Sequence, residues 1–197
     1  MLYLFADLAD DVREQDIIVF DTPILTWLDE HRTTFLTNVA LFLNVTGSVY
    51  LLGPLTLGIA ALLWRRSRRA AVFLTLSVGG ALGLNLAAKV LVGRLRPDLF
   101  ERLSIAPGYS FPSGHTMVST AFFLALFLVS LRFWPRYRWL LGTVSVLLIL
   151  AVGASRSYLQ VHFPSDVLAG WLLAGAWVLG LNGWFRRKRK TVSLVKR

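Results

Sequence analysis

Long apolar runs alternate with short polar and basic stretches along the chain, and this alternation sets the class. A bilayer core needs about 20 apolar helical residues, with about 17 at the short end. Four runs reach that length, at about 70–92, 115–132, 138–154 and 164–185. A fifth, about 48–64, is slightly short and contains Pro54. Upstream of it, "FLTNVALFLNV" (35–45) is apolar with polar interruptions and stops at Thr46-Gly47-Ser48. That segment is either an interfacial helix or a kinked extension of the first span. Residues 1–30 are amphipathic and are expected to lie on the membrane surface, with Asp21-Thr22-Pro23 as a helix start. The pattern therefore predicts an all-α integral membrane bundle. It has about five transmembrane helices and N-terminal interfacial helices.

The whole chain of 197 residues is expected to form one domain. Its parts would be an amphipathic N-terminal region (1–47), a transmembrane core (48–185) and a basic tail (186–197). Composition agrees with a membrane protein: only 16% of residues are charged, against about a quarter in a soluble domain. The chain has no cysteine, so neither a disulfide framework nor a thiolate metal site is available.

The formal net charge of +10 would suit a nucleic-acid binder, but its distribution argues against one. Residues 1–30 hold eight acids against Arg13 alone. The remainder carries twenty basic residues against Asp98, Glu101 and Asp166. The basic residues gather beside apolar runs, in "RRSRR" (65–69), "RFWPRYR" (132–138) and "RRKRK" (186–190). With five alternating spans, all three clusters share one face, as cytoplasmic flanks do. Trp64, Trp134, Trp139 and Trp184 mark the same boundary. The C-terminus is then cytoplasmic. The acidic N-terminus and the connections 93–114 and 154–165 lie outside.

Three polar constellations fall on that outer side. Lys89 stands near the outer end of its helix, ahead of Arg94, Arg96 and Pro97. Ser113, Gly114 and His115 open the next span. Arg156, His162 and Asp166 lie in "SRSYLQVHFPSD" (155–166). Each has an ordinary reading alone. Lys89 can snorkel, Ser113 and Gly114 can serve a helix start, and Asp166 can answer a helix dipole. Together they place several cations on a face that the positive-inside bias depletes. Cations so gathered repel unless an anion sits among them, and phosphate is the natural anion for arginine. Outward-pointing amides at the "SGHT" helix start favour the same ligand.

The histidines indicate chemistry. His162 and Asp166 are four residues apart, and Pro164 can open a helix holding both near one surface. A carboxylate beside an imidazole fixes its tautomer and stabilises the charge formed on attack. His162 is thus a candidate nucleophile at phosphorus. His115 is placed to protonate a leaving group. Outside residues 1–30 there are only three acids, too few for a two-metal site, so charge should be met by Lys and Arg. Gly79 and Gly83 in the span 70–92 are expected to form a small-xxx-small packing face. Asn85 and Lys89 share one face of that span.

These residues resemble a known family. "KVLVGRLRP" (89–97) matches K-x6-R-P, "PSGH" (112–115) matches a second motif, and "SRSYLQVHFPSD" matches S-R-x5-H-x3-D. In this order they resemble the type 2 phosphatidic acid phosphatases, or lipid phosphate phosphatases, over roughly residues 45–185. The superfamily includes bacterial phosphatidylglycerophosphate and undecaprenyl pyrophosphate phosphatases. The resemblance implies that Lys89, Arg96, Ser113, Gly114 and Arg156 hold the phosphate. It implies His162 as nucleophile, Asp166 as its orienter and His115 as general acid, with no metal and no cofactor. Ser155, Pro97 and Pro112 match the motifs in structural roles. The chain departs from six-span relatives in its N-terminus, and Arg94 lies outside the fixed motif positions.

The expected activity is metal-independent hydrolysis of a lipid phosphate or pyrophosphate at the outer leaflet. It would proceed through a phosphohistidine, in a bacterial inner membrane with the site on the periplasmic or extracellular side. A lipid phosphotransferase would use the same residues. A non-enzymatic phospholipid-binding protein would not need the complete set. The partners are the lipid substrate and the bilayer, not nucleic acid; no feature of the sequence fixes an oligomeric state.

Overall fold

The computed structural model describes the backbone of residues 1–14 and 18–195, and side chains through Arg187 outside that gap. The basic run that begins at Arg186 therefore continues, from residue 188, outside the side chains described. No strand occurs among the described residues. Those residues form eight α-helices in order: α1 (Leu2–Arg13), α2 (Asp21–Glu30), α3 (Thr34–Thr46), α4 (Val49–Arg66), α5 (Arg68–Val92), α6 (Gly114–Phe133), α7 (Arg138–Tyr158) and α8 (Pro164–Val195). A single 3₁₀ turn, Pro135–Tyr137, joins α6 to α7.

Four stretches are long and apolar enough to span: 68–92, 114–133, 135–158 and 164–187. A fifth candidate span is a bent pair: α3 and α4 meet at 47° around Gly47-Ser48 and are long and apolar enough to cross only when taken together. Of the two readings open for residues 35–45, this arrangement matches the kinked extension. The chain is an integral membrane helical bundle.

α6 is the most buried span and packs against α4, α5, α7 and α8. Its sequence explains that position. Thr116, Ser119, Thr120, Ala121 and Ala125 are small and buried, so neighbours approach closely on several sides. The outer helices instead turn large apolar side chains outward, among them Tyr50, Leu62, Val90 and Trp139. Hydrocarbon is as apolar as those side chains, so their exposure costs little in a bilayer.

The expected Gly79–Gly83 packing face does not form. A β-carbon at either position would meet nothing within 4 Å. The close approach falls one residue away, at Gly80, which lies under the Trp177 ring. The indole N–H of Trp177 donates to the Leu76 and Ser77 carbonyls, each at 3.1 Å. A large ring with a backbone hydrogen bond selects the seam, and the spacing of small residues does not.

The N-terminal helices are too short to cross. They dock against the bundle. Leu8, Ala9 and Val12 of α1 pack with Phe111 and Ala169, and Met1 reaches Gly175 of α8. α2 packs against α7 and α8 and buries Leu25 completely. At the far end of the bundle, arginines lie on aromatic rings. Arg66 sits 4.5 Å from the Phe133 centroid and Arg138 5.4 Å from that of Trp139. This basic, aromatic rim has the composition of a membrane boundary.

Candidate active site

Each motif ends or begins a helix, and the bundle brings those ends together. α5 stops at Gly93, whose φ of 68° lies in the left-handed region that glycine enters without strain. Its N–H closes the helix onto the Lys89 carbonyl at 3.0 Å. The chain then leaves the helix and carries Arg94 and Arg96 across the bundle end. α6 opens at Ser113, whose N–H reaches the Asp166 carbonyl at 3.1 Å, tying the second motif to the third. Asn85 adds a tie from within the span, donating to the Pro112 carbonyl at 2.9 Å. Gly114 lies so near Asn85 that an added β-carbon would sit 3.1 Å from Oδ1.

The third motif begins in the last turn of α7 and ends in the first turn of α8. Arg156 is 1% exposed, and its guanidinium donates to the Asn44 side-chain carbonyl of α3. Gln160 turns the chain with φ of 57°, an uncommon conformation for a residue with a side chain. Its amide donates to the Leu25 carbonyl of α2 at 3.0 Å. Pro164 then starts α8, where its missing N–H is not needed.

His162 lies between these elements, 2% exposed. Its Nδ1 faces Asp166 Oδ2 at 3.2 Å, and its Nε2 faces Arg96 Nη1 at 3.1 Å. Arginine only donates, so Nε2 must accept. Nδ1 therefore carries the proton and donates to the carboxylate. That tautomer leaves a lone pair on Nε2, pointed at a guanidinium. Burial pushes the His162 imidazole well below its ordinary pKa, and the positive Arg96, Arg156 and Lys89 push the same way. His162 is thus held neutral at neutral pH.

Asp166 is fully buried and accepts three hydrogen bonds. Oδ2 takes His162 and the Phe163 N–H, the latter at 3.0 Å. The bond to Phe163 is the backward half of a capping box. Oδ1 takes Arg94 Nη1 at 2.7 Å. A buried carboxylate needs this degree of satisfaction.

Lys89 and Arg96 share the Tyr109 carbonyl, and Arg96 also reaches the carbonyls of Pro107, Gly108 and Val161. Both cations are half-buried and stand within electrostatic reach of His162. Ser113 is buried and its hydroxyl accepts from Thr116 at 3.0 Å. His115 is half-buried on the first turn of α6, hydrogen-bonded to the Asn44 backbone and within electrostatic reach of Arg156 and His162. The eight residues singled out in the sequence therefore gather at one end of the bundle. A neutral imidazole whose Nε2 lone pair is met only by a guanidinium, three cations and a second imidazole can accept, stabilise and release a phosphoryl group.

Comparison with known proteins agrees. Residues 70–190 match the PAP2 superfamily. The chain belongs to the PAP2 superfamily. An undecaprenyl-diphosphatase of Sulfolobus acidocaldarius is 32% identical over 170 residues, covering 84% of this chain and 78% of that protein. Phosphatidylglycerophosphatase B of Bacillus subtilis is 33% identical over 168 residues, covering 84% and 77%. Among solved structures, a transmembrane PAP2 type phosphatidylglycerolphosphate phosphatase from Bacillus subtilis superposes with a TM-score of 0.87 at 25% identity, covering 94% of each chain. Aquifex aeolicus LpxE, at 20% identity and a TM-score of 0.70 over 84% of this chain and 96% of its own, shares the fold. This PAP2 protein is a membrane enzyme of the phosphatase class.

Sequence reasoning missed three of the residues that build this PAP2 site. Asn44 read as a polar interruption in an apolar segment. Asp21 read as a helix start, which it is, and as one acid among eight, with no part in the site. Arg94 read as a cation outside the fixed motif positions, whereas its guanidinium is spent on Asp21 and Asp166. Asp21 and Asn44 both precede the family-matched segment 70–190. No motif spacing could have pointed to them. The one available signal was that each polar residue falls next to apolar positions.

Proposed function

We propose that the chain is a single membrane phosphatase domain that hydrolyses a lipid phosphate or lipid pyrophosphate at the outer leaflet. One observation carries the reading: His162 presents Nε2 to Arg96 while Nδ1 is engaged by Asp166. In the first half-reaction the Nε2 lone pair forms an N–P bond as the P–O bond to the leaving group breaks. His115, protonated, gives its proton to the leaving oxygen. In the second half-reaction water forms the new P–O bond and its proton goes to His115. The N–P bond breaks and its electron pair returns to Nε2. Lys89, Arg96 and Arg156 neutralise the phosphoryl oxygens throughout, with the Ser113 hydroxyl and Gly114 N–H beside them.

This charge complement supports a metal-free reaction. Among the described residues, no three of His, Cys, Asp and Glu converge to hold an ion. Sidedness rests on the basic, aromatic rim at the opposite end of the bundle. That rim favours the cytoplasm, which puts the site on the periplasmic or extracellular side and the C-terminus in the cytoplasm. A site at a helix end suits a substrate whose tails stay in lipid. The relatives act, by name, on undecaprenyl diphosphate and phosphatidylglycerophosphate, and both belong in the first substrate panel.

The test is purified protein in detergent with radiolabelled monophosphate and pyrophosphate lipids and excess EDTA. Free phosphate release with an acid-labile, base-stable phosphoenzyme is expected, and both should vanish in His162→Ala. Strict dependence on an added divalent ion would refute the mechanism. Transfer of label to a second lipid would make the protein a transferase.

A further inference from the structure

The His162–Asp166 pair does not end at Asp166. Arg94 Nη1 donates to Asp166 Oδ1 at 2.7 Å, and Arg94 Nη2 donates to Asp21 Oδ2 at 2.8 Å. Asp21 is 3% exposed and belongs to the first turn of α2, far from the motifs in sequence. Its carboxylate also accepts the Ser165 N–H at 2.8 Å on Oδ1 and the Ser165 hydroxyl at 2.5 Å on Oδ2. Ser165 Oγ in turn accepts from Arg94 Nη1 at 2.7 Å. The Arg94 guanidinium lies 3.9 Å from the Phe163 ring centroid, which fixes its plane.

We propose that Asp21 and Arg94 are positioning residues for the phosphatase reaction, clamping the Asp166 carboxylate against His162 from a helix outside the catalytic motifs. The geometry gives each atom a task. Arg94 forks between two carboxylates, which only a planar guanidinium does well. It neutralises Asp166 inside the bundle end, so that the carboxylate stays an acceptor for His162. Asp21 then balances Arg94. It also caps the amide end of α8, where an anion is favoured. Arg94 is thereby withdrawn from the phosphate, leaving Lys89, Arg96 and Arg156 for that work. The clamp makes α2 part of the active site, and Gln160 bonding to the Leu25 carbonyl seats the same helix a second time.

This inference rests on the proposed role of His162, and the experiment separates the two. Turnover, KM and vanadate affinity are measured with a lipid phosphate for Asp21→Asn, Asp21→Glu, Arg94→Lys, Arg94→Gln and His162→Ala. Vanadate binding counts folded sites, so misfolded protein shows as lost stoichiometry and not as lost turnover per site. Asp21→Asn and Arg94→Gln should lower kcat per vanadate-binding site by about 10-fold to 100-fold, with KM nearly unchanged. Asp21→Glu and Arg94→Lys should recover part of the loss, because charge is kept and only the fork is distorted. Wild-type kcat in Asp21→Asn and Arg94→Gln, with His162→Ala inactive, overturns the clamp and leaves the mechanism standing. A raised KM with normal kcat makes Arg94 a substrate ligand and also overturns it. An active His162→Ala overturns the mechanism and the clamp's purpose with it.

Discussion

Arg96 Nη1 donates to His162 Nε2 at 3.1 Å, on the ring edge opposite the one engaged by Asp166. The contact joins the proposed nucleophile to a cation that the phosphate would also need. Arg96 is at the same time the staple of the loop before α6, through the carbonyls of Pro107, Gly108 and Tyr109, and ties that loop to the α7–α8 connection through the Val161 carbonyl. For Nε2 to reach phosphorus, the guanidinium must give up that lone pair and turn to the phosphoryl oxygens.

Arg96→Lys should therefore be damaging although charge is kept. A lysine offers one point charge where the arginine makes five contacts in a fork. We expect kcat/KM to fall by at least about 100-fold, with weaker vanadate inhibition, because both the transition state and its mimic lose their in-plane donors. Steady-state kinetics with a vanadate titration checks this. Unchanged vanadate affinity would mean that Arg96 only supports the loop.

The neutral state of His162 gives a pH prediction. Its folded pKa is depressed by burial and by the positive Arg96, Arg156 and Lys89. The unfolded value is about 6.5. Between the two, the unfolded chain binds the proton that the folded chain refuses, so stability rises with pH across that window and is lost as pH falls below about 6.5. Histidine-selective NMR of the ligand-free protein should show the His162 ring neutral from about pH 8 to below 6.5. His162→Gln should flatten the stability slope over the same range. A His162 that titrates near its ordinary value would contradict the burial and the cationic surroundings described above.

Gly114→Ala tests the close approach of α5 and α6. The new β-carbon would stand 3.1 Å from Asn85 Oδ1. Either Asn85 yields its hydrogen bond to Pro112 or the two helix ends separate. Overpacking of this kind costs about 1–3 kcal/mol. The turn that presents Ser113 and His115 should shift with it. We expect a lower unfolding temperature in detergent and a several-fold loss of kcat/KM, on the order of 10-fold. Asn85→Ala in the Gly114→Ala background should restore part of the stability by removing the clash.

Much of this architecture was legible in the sequence. Span lengths and charge clusters predicted the bundle, because a bilayer tolerates few other solutions. The motif residues could be placed on one side because each one adjoins a helix end. The remainder depended on contacts between segments distant in the chain. Asp21 lies 144 positions from Ser165, and Asn44 lies 112 from Arg156. Side chains that act through tertiary contact carry no local periodicity, so Asp21 and Asn44 read as ordinary polar residues. The Gly79–Gly83 expectation failed for a related reason. Spacing says which residues share a face, but Trp177 on α8 decides which face is used.

His115 carries the last prediction. It stands on the opening turn of α6, half-buried, with Arg156 and His162 as charged or titratable neighbours and the Asn44 backbone as its hydrogen-bond partner. If it supplies the leaving-group proton, its loss should matter in proportion to how poor the leaving group is. A lipid alcohol leaves badly without a proton, whereas an activated phenol leaves as the anion. His115→Ala should therefore cost about 10²–10⁴-fold on a lipid monophosphate and far less on a nitrophenyl phosphate. A series of aryl and alkyl phosphates should show a steeper dependence of rate on leaving-group pKa in the variant than in the parent. Phosphoenzyme should still form from the aryl substrates, because His162 and its clamp are intact. Equal losses across the series would make His115 a structural or binding residue and leave the proton donor to be found elsewhere at the bundle end.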